Sequence, residues 1–418
     1  VTLIVFGALL MPQPPAMLIR DIVEALRGET GFIYAARARE LAKKGFKVVN
    51  FGVGQPDVPT PRHVVEEAKK ALDAGFTGYT EVAGIPELRQ SIAEYLNERY
   101  GSDVKPEEVI VTPGAKAALF LAFAAYVRPG DEVLIPDPSY YMYPEVTKFL
   151  GGKPVYAPLR WGGSEEGFEL DVRLVEGLIS ERTRAIVVNN PHNPTGALFS
   201  PKEVEMVFET AKERRIVVIV DEIYDNFIYE GGLKSFISFP EWRDYVVYIN
   251  GFSKTFSMTG WRLGYLVVRR EIASKLTRLA VNMWTCAPSF AQKAGVVALK
   301  GSWEPVKEMI ELFRRRRDAM VEGLRKIRGI EVWKSKGAFY VYPKVKKLLE
   351  ELNTDVESLA EQLLSEKHVA VLPGTVFSEG DMGKGFIRLS FALDEKLIVE
   401  GVNRIKSFVE ERLSEKSG

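Results

Sequence analysis

SKTFSMTGWRLGY, residues 253–265, places one lysine, Lys254, among hydroxyls, small residues and an arginine, directly after the apolar run 246–250. That run reads as a strand and the quoted residues as the loop it carries, and loops held by a sheet are where binding and catalytic groups concentrate. A lysine so placed loses its proton more readily than a solvated one and can attack a carbonyl to form a Schiff base. A lone lysine is ordinarily a surface charge. The reading of Lys254 therefore depends on what the rest of the chain brings to it.

Just upstream, residues 216–220 (IVVIV) form an unbroken β-branched run, the pattern of a strand covered on both faces, and it ends in Asp221. A carboxylate at such a place needs a partner, because burying it alone costs several kcal/mol. Residues 184–188 are a second such strand and run into NNPHNPTG, residues 189–196, just beyond the strand end where open parallel sheets keep their ligand groups. Residues 109–112 are a third, followed by the turn Pro113-Gly114 and an apolar helix at 116–126. A glycine turn feeding a helix aims free N–H groups and the positive end of the helix dipole outward, which makes an anion site. Earlier still, GVGQPD (residues 52–57) holds glycines that let backbone come close to a ligand.

Strands alternating with helices from about residue 62 to 300 imply a doubly wound, mostly parallel sheet. A long helix is expected at 306–327. Its arginine run 314–317 has Glu308, Glu311 and Asp318 at helical spacing, so it reads as a solvated, paired face. Beyond it, strands at 330–333 and 338–342, a helix at 355–367 and a strand at 369–372 suggest a smaller α+β unit. Residues 386–391 (FIRLSF) alternate as a half-buried strand carrying Arg388. Short helices are expected at 19–26 and 32–43.

The 418 residues exceed one ordinary domain. Basic and acidic side chains balance at 56 each, which implies no nucleic-acid partner. One cysteine, Cys286, excludes an internal disulfide framework and fits a reducing compartment; it is expected to be buried. The histidines His63, His192 and His368 are scattered and form no metal-ligand cluster, so no metal is expected. Residues 1–11 are apolar and uncharged but lack the basic start of a signal peptide and the roughly 20 residues of a spanning helix. Residues 1–30 are therefore expected to be an arm, either flexible or packed on a partner subunit, in a cytoplasmic protein with no membrane contact.

Taken together, the quoted stretch has the pattern S-K-x-F/Y-x-M-x-G-W-R-x-G. With GQPD (54–57), YTEVAGIPELR (79–89), TPGAK (112–116), NNPHNPTG (189–196), DEIYD (221–225) and FIRLSFA (386–392) it closely resembles the class I aminotransferases of fold type I, the aspartate aminotransferase-like enzymes that use pyridoxal 5'-phosphate. All seven stations fall in the family's order.

The resemblance implies an α/β fold with a large domain at 62–300 built on a mostly parallel seven-stranded sheet. A small α+β domain would comprise residues 31–61 and 328–418, with a connecting helix at 301–327. It implies that Lys254 holds the cofactor as a Schiff base and later moves the substrate proton, and that Asp221 pairs with the protonated ring nitrogen. Asn193 and Tyr224 would bind the cofactor's phenolic oxygen, and Tyr140 would stack on the ring. Gly114, Ala115 and Lys116 would cradle the phosphate through backbone, helped by Ser253 and Arg262. Tyr79 would reach the phosphate of a partner subunit in a homodimer with shared sites, with Thr285 a further candidate from that region. Arg388 would clamp the substrate α-carboxylate, with Gly54 and Asn193 beside it.

The implied activity is ping-pong transfer of an amino group from an L-amino acid to a 2-oxo acid, 2-oxoglutarate, with aspartate favoured. An aromatic or broad-specificity enzyme is the alternative, on the strength of Tyr140, Tyr141, Tyr143 and Trp284. A C–S lyase and a non-enzymatic cofactor-binding sensor are more distant. The sensor reading would require a DNA-binding module, which the roughly 50 residues before GQPD do not resemble.

Overall fold

The computed structural model describes residues 21–26, 28 and 30–417. Most of the arm expected at 1–30, and residues 19 and 20 of the first expected helix, lie outside the described residues.

Seven strands make the central sheet, in the spatial order Val109–Thr112, Gly264–Val267, Val246–Gly251, Val217–Asp221, Thr183–Asn189, Glu132–Asp137 and Lys153–Pro158. The sheet is α/β and mostly parallel, as the alternating sequence implies; only Gly264–Val267 runs antiparallel to its neighbours. Val218, Ile219 and Val220 are fully buried, which is what helices on both faces of a parallel sheet require of an unbroken β-branched run.

Because the strands are parallel, their carboxyl ends collect at one edge. The register sets Asn189 beside Asp221, and Asp221 beside Ile249. The antiparallel strand begins at that same edge, with Gly264 opposite Gly251. The lysine loop, residues 252–263, therefore crosses the edge where Asp221 and Asn189 end. Helix Ala115–Tyr126 also opens there. Its cap, Gly114, has φ 84°, a conformation that strains any residue with a Cβ.

Away from this sheet, Tyr340–Val341, Ile387–Ser390 and Leu372–Pro373 form a small antiparallel sheet, and Val49–Asn50 pairs parallel with Val369–Ala370. These strands share an apolar core with Met309, Phe313 and Met320 of helix Glu304–Arg325, Leu359 of helix Val356–Lys367, and Ile398 and Phe408 of the C-terminal helix. Among the described residues no helix is long and apolar enough to cross a membrane.

Four local expectations change. Residues 330–333 make no strand, because only Glu331 exchanges backbone hydrogen bonds, with Lys344, just after the left-handed turn at Gly329. Ile387–Ser390 is buried at every position instead of alternating, since helices cover one face and the functional cavity lies against the other. The arginine run is not a solvated face either. Arg316 and Arg317 are buried, Arg316 making a two-pronged pair with Asp57 (2.6 and 2.9 Å), while Arg317 donates to the Ser335 carbonyl and pairs with Glu230 and Asp318. Helical spacing alone could not show that this side of the helix packs on the 52–57 loop. Cys286 is half-buried instead of buried.

Candidate active site

A cavity of about 560 Å³ opens at the carboxyl edge of the large sheet and is closed on its other side by the small sheet. Gly54, Ala115, Lys116, Tyr140, Asn193, Asp221, Tyr224, Ser253, Lys254, Arg262 and Arg388 all line it. These residues span more than 330 positions of chain, and the two sheets bring them together.

The Lys254 ammonium donates to the Gly54 carbonyl at 2.6 Å and lies 5.9 and 5.7 Å from the ring centres of Tyr224 and Phe339. Asp221, at the end of its strand, is 4% exposed. Its carboxylate accepts from the Tyr143 hydroxyl at 2.8 Å and the Ile223 amide at 3.1 Å. Burial pushes its pKa up to about 6, against the pull of those two donors and the charge of Lys254. Both hydrogen-bond donors are neutral, so the carboxylate is well placed to take a cationic ligand group.

Arg388 is 5% exposed. Its Nη1 donates to Asn193 Oδ1 at 3.1 Å and its Nη2 to the Gly52 carbonyl at 2.7 Å, and its Nε is buried with no hydrogen-bond partner. The guanidinium lies between the rings of Tyr340 (4.3 Å) and Phe377 (4.8 Å). A fork held this way suits a carboxylate, which accepts two parallel charge-assisted bonds.

The anion end of the cavity is built by helix Ala115–Tyr126, whose first turn points at it. Arg262 lines the same end, with its Nη1 on the Thr259 carbonyl at 2.7 Å and its backbone left-handed at φ 56°. Gly114 lies directly behind that guanidinium: a methyl there would come within 2.4 Å of Nη2. Gly264 lets the strand approach the helix start, since a methyl on it would fall 2.5 Å from the Ala115 nitrogen.

Two expected residues stand apart. Tyr79 does not line this chain's cavity and is 88% exposed, and Thr285, left-handed at φ 65°, does not line it either. His192 also stays out of the cavity; it is buried, bonded to the Thr195 hydroxyl at 2.8 Å, and burial holds its pKa down at about 3. Among the described residues no cluster of His, Cys, Asp or Glu could hold a metal ion.

Three side chains of the site have roles that the sequence did not show; Tyr143 was singled out only as one of several aromatic residues, and Tyr340 and Phe377 not at all. Tyr143 holds Asp221, Tyr340 meets the Tyr224 hydroxyl at 2.9 Å, and Phe377 covers Arg388. Tyr143 carried a signal, its place in a loop after a strand; Tyr340 sits in the apolar run 338–342, and Phe377 carried no signal.

This cavity, with an amine, a buried carboxylate and an arginine fork on a parallel-sheet edge, belongs to a family defined by sequence as well. The chain is a member of the class I and II aminotransferases, whose family model matches residues 47–405. The aspartate aminotransferase of Sulfurisphaera tokodaii is 52% identical over 387 residues, covering 92% of this chain and 96% of that one. That of Sulfolobus acidocaldarius is 50% identical over 386 residues, with 92% and 96% covered. Among solved structures, aspartate aminotransferase from Thermus thermophilus with maleate superposes with a TM-score of 0.87 at 36% identity, covering 93% of this chain and 99% of that one. The protein is an aminotransferase of fold type I.

Proposed function

We propose that the cavity takes pyridoxal 5'-phosphate and that aspartate is the favoured amino donor, with 2-oxoglutarate as acceptor. The observation that carries the cofactor is Asp221, a buried carboxylate raised to about 6, bonded by neutral donors and lining the same cavity as the Lys254 amine. A cationic ring nitrogen is the partner such a group needs. The start of helix Ala115–Tyr126, with Ser253 and Arg262, fits a phosphate, and Tyr140 offers a ring face.

When bound, the cofactor supplies an aldehyde for an amine and a ring that takes up electrons from the substrate's α-carbon. The chain does the rest. Lys254 would hold the cofactor's aldehyde carbon and, as a free amine, would be the base that moves the α-proton. The Gly54 carbonyl, 2.6 Å from its nitrogen, is where the released amine can rest. Arg388 would hold the α-carboxylate, and Asn193 holds the arginine in turn. Asp221 would hold the proton of the ring nitrogen, and Tyr224 would donate to the phenolic oxygen. Phe377, Tyr340 and Tyr143 keep the chemistry dry.

Lys116 supports the acidic donor. It lines the cavity as a cation separate from Arg388, its Nζ donates to the Tyr141 hydroxyl oxygen at 2.8 Å, and it is placed to meet a side-chain carboxylate. Tyr140 and Tyr141 on the same wall favour a second reading, an aromatic or broad-specificity enzyme. The exposed ring of Tyr79 supports a homodimer in which that residue completes a partner's phosphate site.

Reduction of the cofactor-loaded protein with borohydride, followed by peptide mapping, tests the core of this reading. The expected result is a single pyridoxyl adduct on Lys254, absent from Lys254→Ala, which also has essentially no turnover. An adduct elsewhere, or multiple turnover by Lys254→Ala, would contradict it.

A further inference from the structure

Tyr340 lies on the small sheet opposite Ser390, on the face it shares with Arg388 two residues away. Diagonal neighbours on one face of an antiparallel pair are within reach of long and aromatic side chains. The consequence is contact at both ends of the tyrosine. Its ring, 1% exposed, lies 4.3 Å from the Arg388 guanidinium carbon, on which Phe377 also packs. Its hydroxyl lies 2.9 Å from the Tyr224 hydroxyl. Gly54 is what lets it lie there, since a methyl at that position would come within 2.5 Å of the Tyr340 oxygen.

We propose that Tyr340 is a positioning residue with two separable tasks: its ring sets the plane of Arg388 for the substrate carboxylate, and its hydroxyl sets the strength of Tyr224 as a donor to the cofactor. The proposal rests on the roles given above to Arg388 and Tyr224.

For the ring, two hydrogen bonds to Asn193 and Gly52 fix where the guanidinium sits, while the flat faces of Tyr340 and Phe377 fix its tilt. A cation held against a desolvated aromatic face gains more than one at the surface. For the hydroxyl, proton counting decides the direction. Tyr224 has one proton, and when it gives that proton to a ligand oxygen, its own oxygen is left to accept. Tyr340 is then the donor, and a hydroxyl that accepts one hydrogen bond gives a stronger one. Removing the Tyr340 hydroxyl weakens the bond from Tyr224 to the phenolic oxygen. That bond matters most when the oxygen's negative charge has no proton beside it, so its weakening makes the deprotonated cofactor costlier and raises the pH at which the cofactor titrates.

The test uses the full chain loaded with pyridoxal phosphate and two readouts: the dissociation constant for maleate, a dicarboxylate with no amine, and the midpoint of the bound cofactor's absorbance change with pH. Tyr340→Phe should leave maleate affinity unchanged and raise the midpoint by about half a pH unit, the size of one modest hydrogen bond. Tyr340→Leu should weaken maleate roughly five- to thirty-fold. Arg388→Lys and Tyr224→Phe are measured alongside. If Arg388→Lys leaves maleate affinity intact, or Tyr224→Phe leaves the midpoint in place, the underlying roles fail. If both of those respond while the Tyr340 variants match wild type, Tyr340 alone is overturned. Should Tyr340→Leu not fold, Tyr340→Phe still decides, because an unmoved midpoint beside a responsive Tyr224→Phe overturns the proposal.

Discussion

Tyr143 donates its hydroxyl to Asp221 across 2.8 Å, joining two buried side chains, one in the first turn of helix Met142–Phe149 and the other at the end of strand Val217–Asp221. The donor stabilises the ionised carboxylate and so opposes the effect of burial, which has already raised Asp221 to about 6. Tyr143→Phe keeps the ring and removes that donor. The Asp221 pKa then rises further, and activity that needs the ionised form is lost at a higher pH than in wild type. A hydrogen bond to a charged group contributes about 1.5–3 kcal/mol, or about one to two pH units, so kcat/KM near neutrality should fall roughly two- to fifteenfold. A pH–rate profile checks both; an acid limb that stays in place would mean that Asp221 is tuned by other groups.

Gly264 begins the antiparallel strand where it meets the start of helix Ala115–Tyr126, the proposed phosphate site. A methyl there would sit 2.5 Å from the Ala115 nitrogen and 2.6 Å from the Gly114 carbonyl carbon, both backbone atoms with little room to yield. Overpacking of this kind costs about 1–3 kcal/mol. Gly264→Ala should therefore loosen the cofactor about tenfold or more while leaving the circular dichroism spectrum unaltered. Equilibrium dialysis of pyridoxal phosphate against both proteins measures it, and equal affinities would remove the helix start from the phosphate site.

Glu222 is fully buried, accepts from the Ser235 hydroxyl at 2.7 Å and the Phe236 amide at 3.4 Å, and faces Asp225. Burial, with a smaller push from Asp225, raises its pKa to about 8. The folded state thus binds a proton that the unfolded state releases at the usual carboxylate pH. The stability this contributes is complete below about pH 4.5 and is lost as pH rises through about 8. Glu222→Gln fixes the protonated form, so its melting temperature should decline less than that of wild type over this window. Parallel declines would show that Glu222 titrates normally.

The sheet and most of the cavity were legible because parallel topology turns local pattern into location. The run 216–220 ending in Asp221, the turn at Gly114 before an apolar helix, and Lys254 after 246–250 each place a residue at a strand's carboxyl end, and all strands end at one edge. What stayed illegible depends on packing between distant segments. Arg316 looked like a solvated charge until the 52–57 loop brought Asp57 to it. Arg388 looked half-exposed until the cavity wall covered the other face of its strand. Tyr340, in the apolar run 338–342, and Phe377 carry no local mark of the cation each will face. Tyr79 is exposed and lies outside the cavity of this chain, so nothing in its own surroundings marks a role.

Lys254, Asp221 and Arg388 are proposed to act together on an acidic amino acid through pyridoxal phosphate. Rapid mixing of the cofactor-loaded protein with one amino acid at a time, with no oxo acid present, tests it most directly by following the bound cofactor's absorbance. The expected result is one stoichiometric conversion to the amine form, fast with aspartate and glutamate and slow with phenylalanine and tyrosine. A faster conversion with the aromatic amino acids would contradict the substrate assignment, and no conversion with any amino acid would contradict the roles given to all three residues.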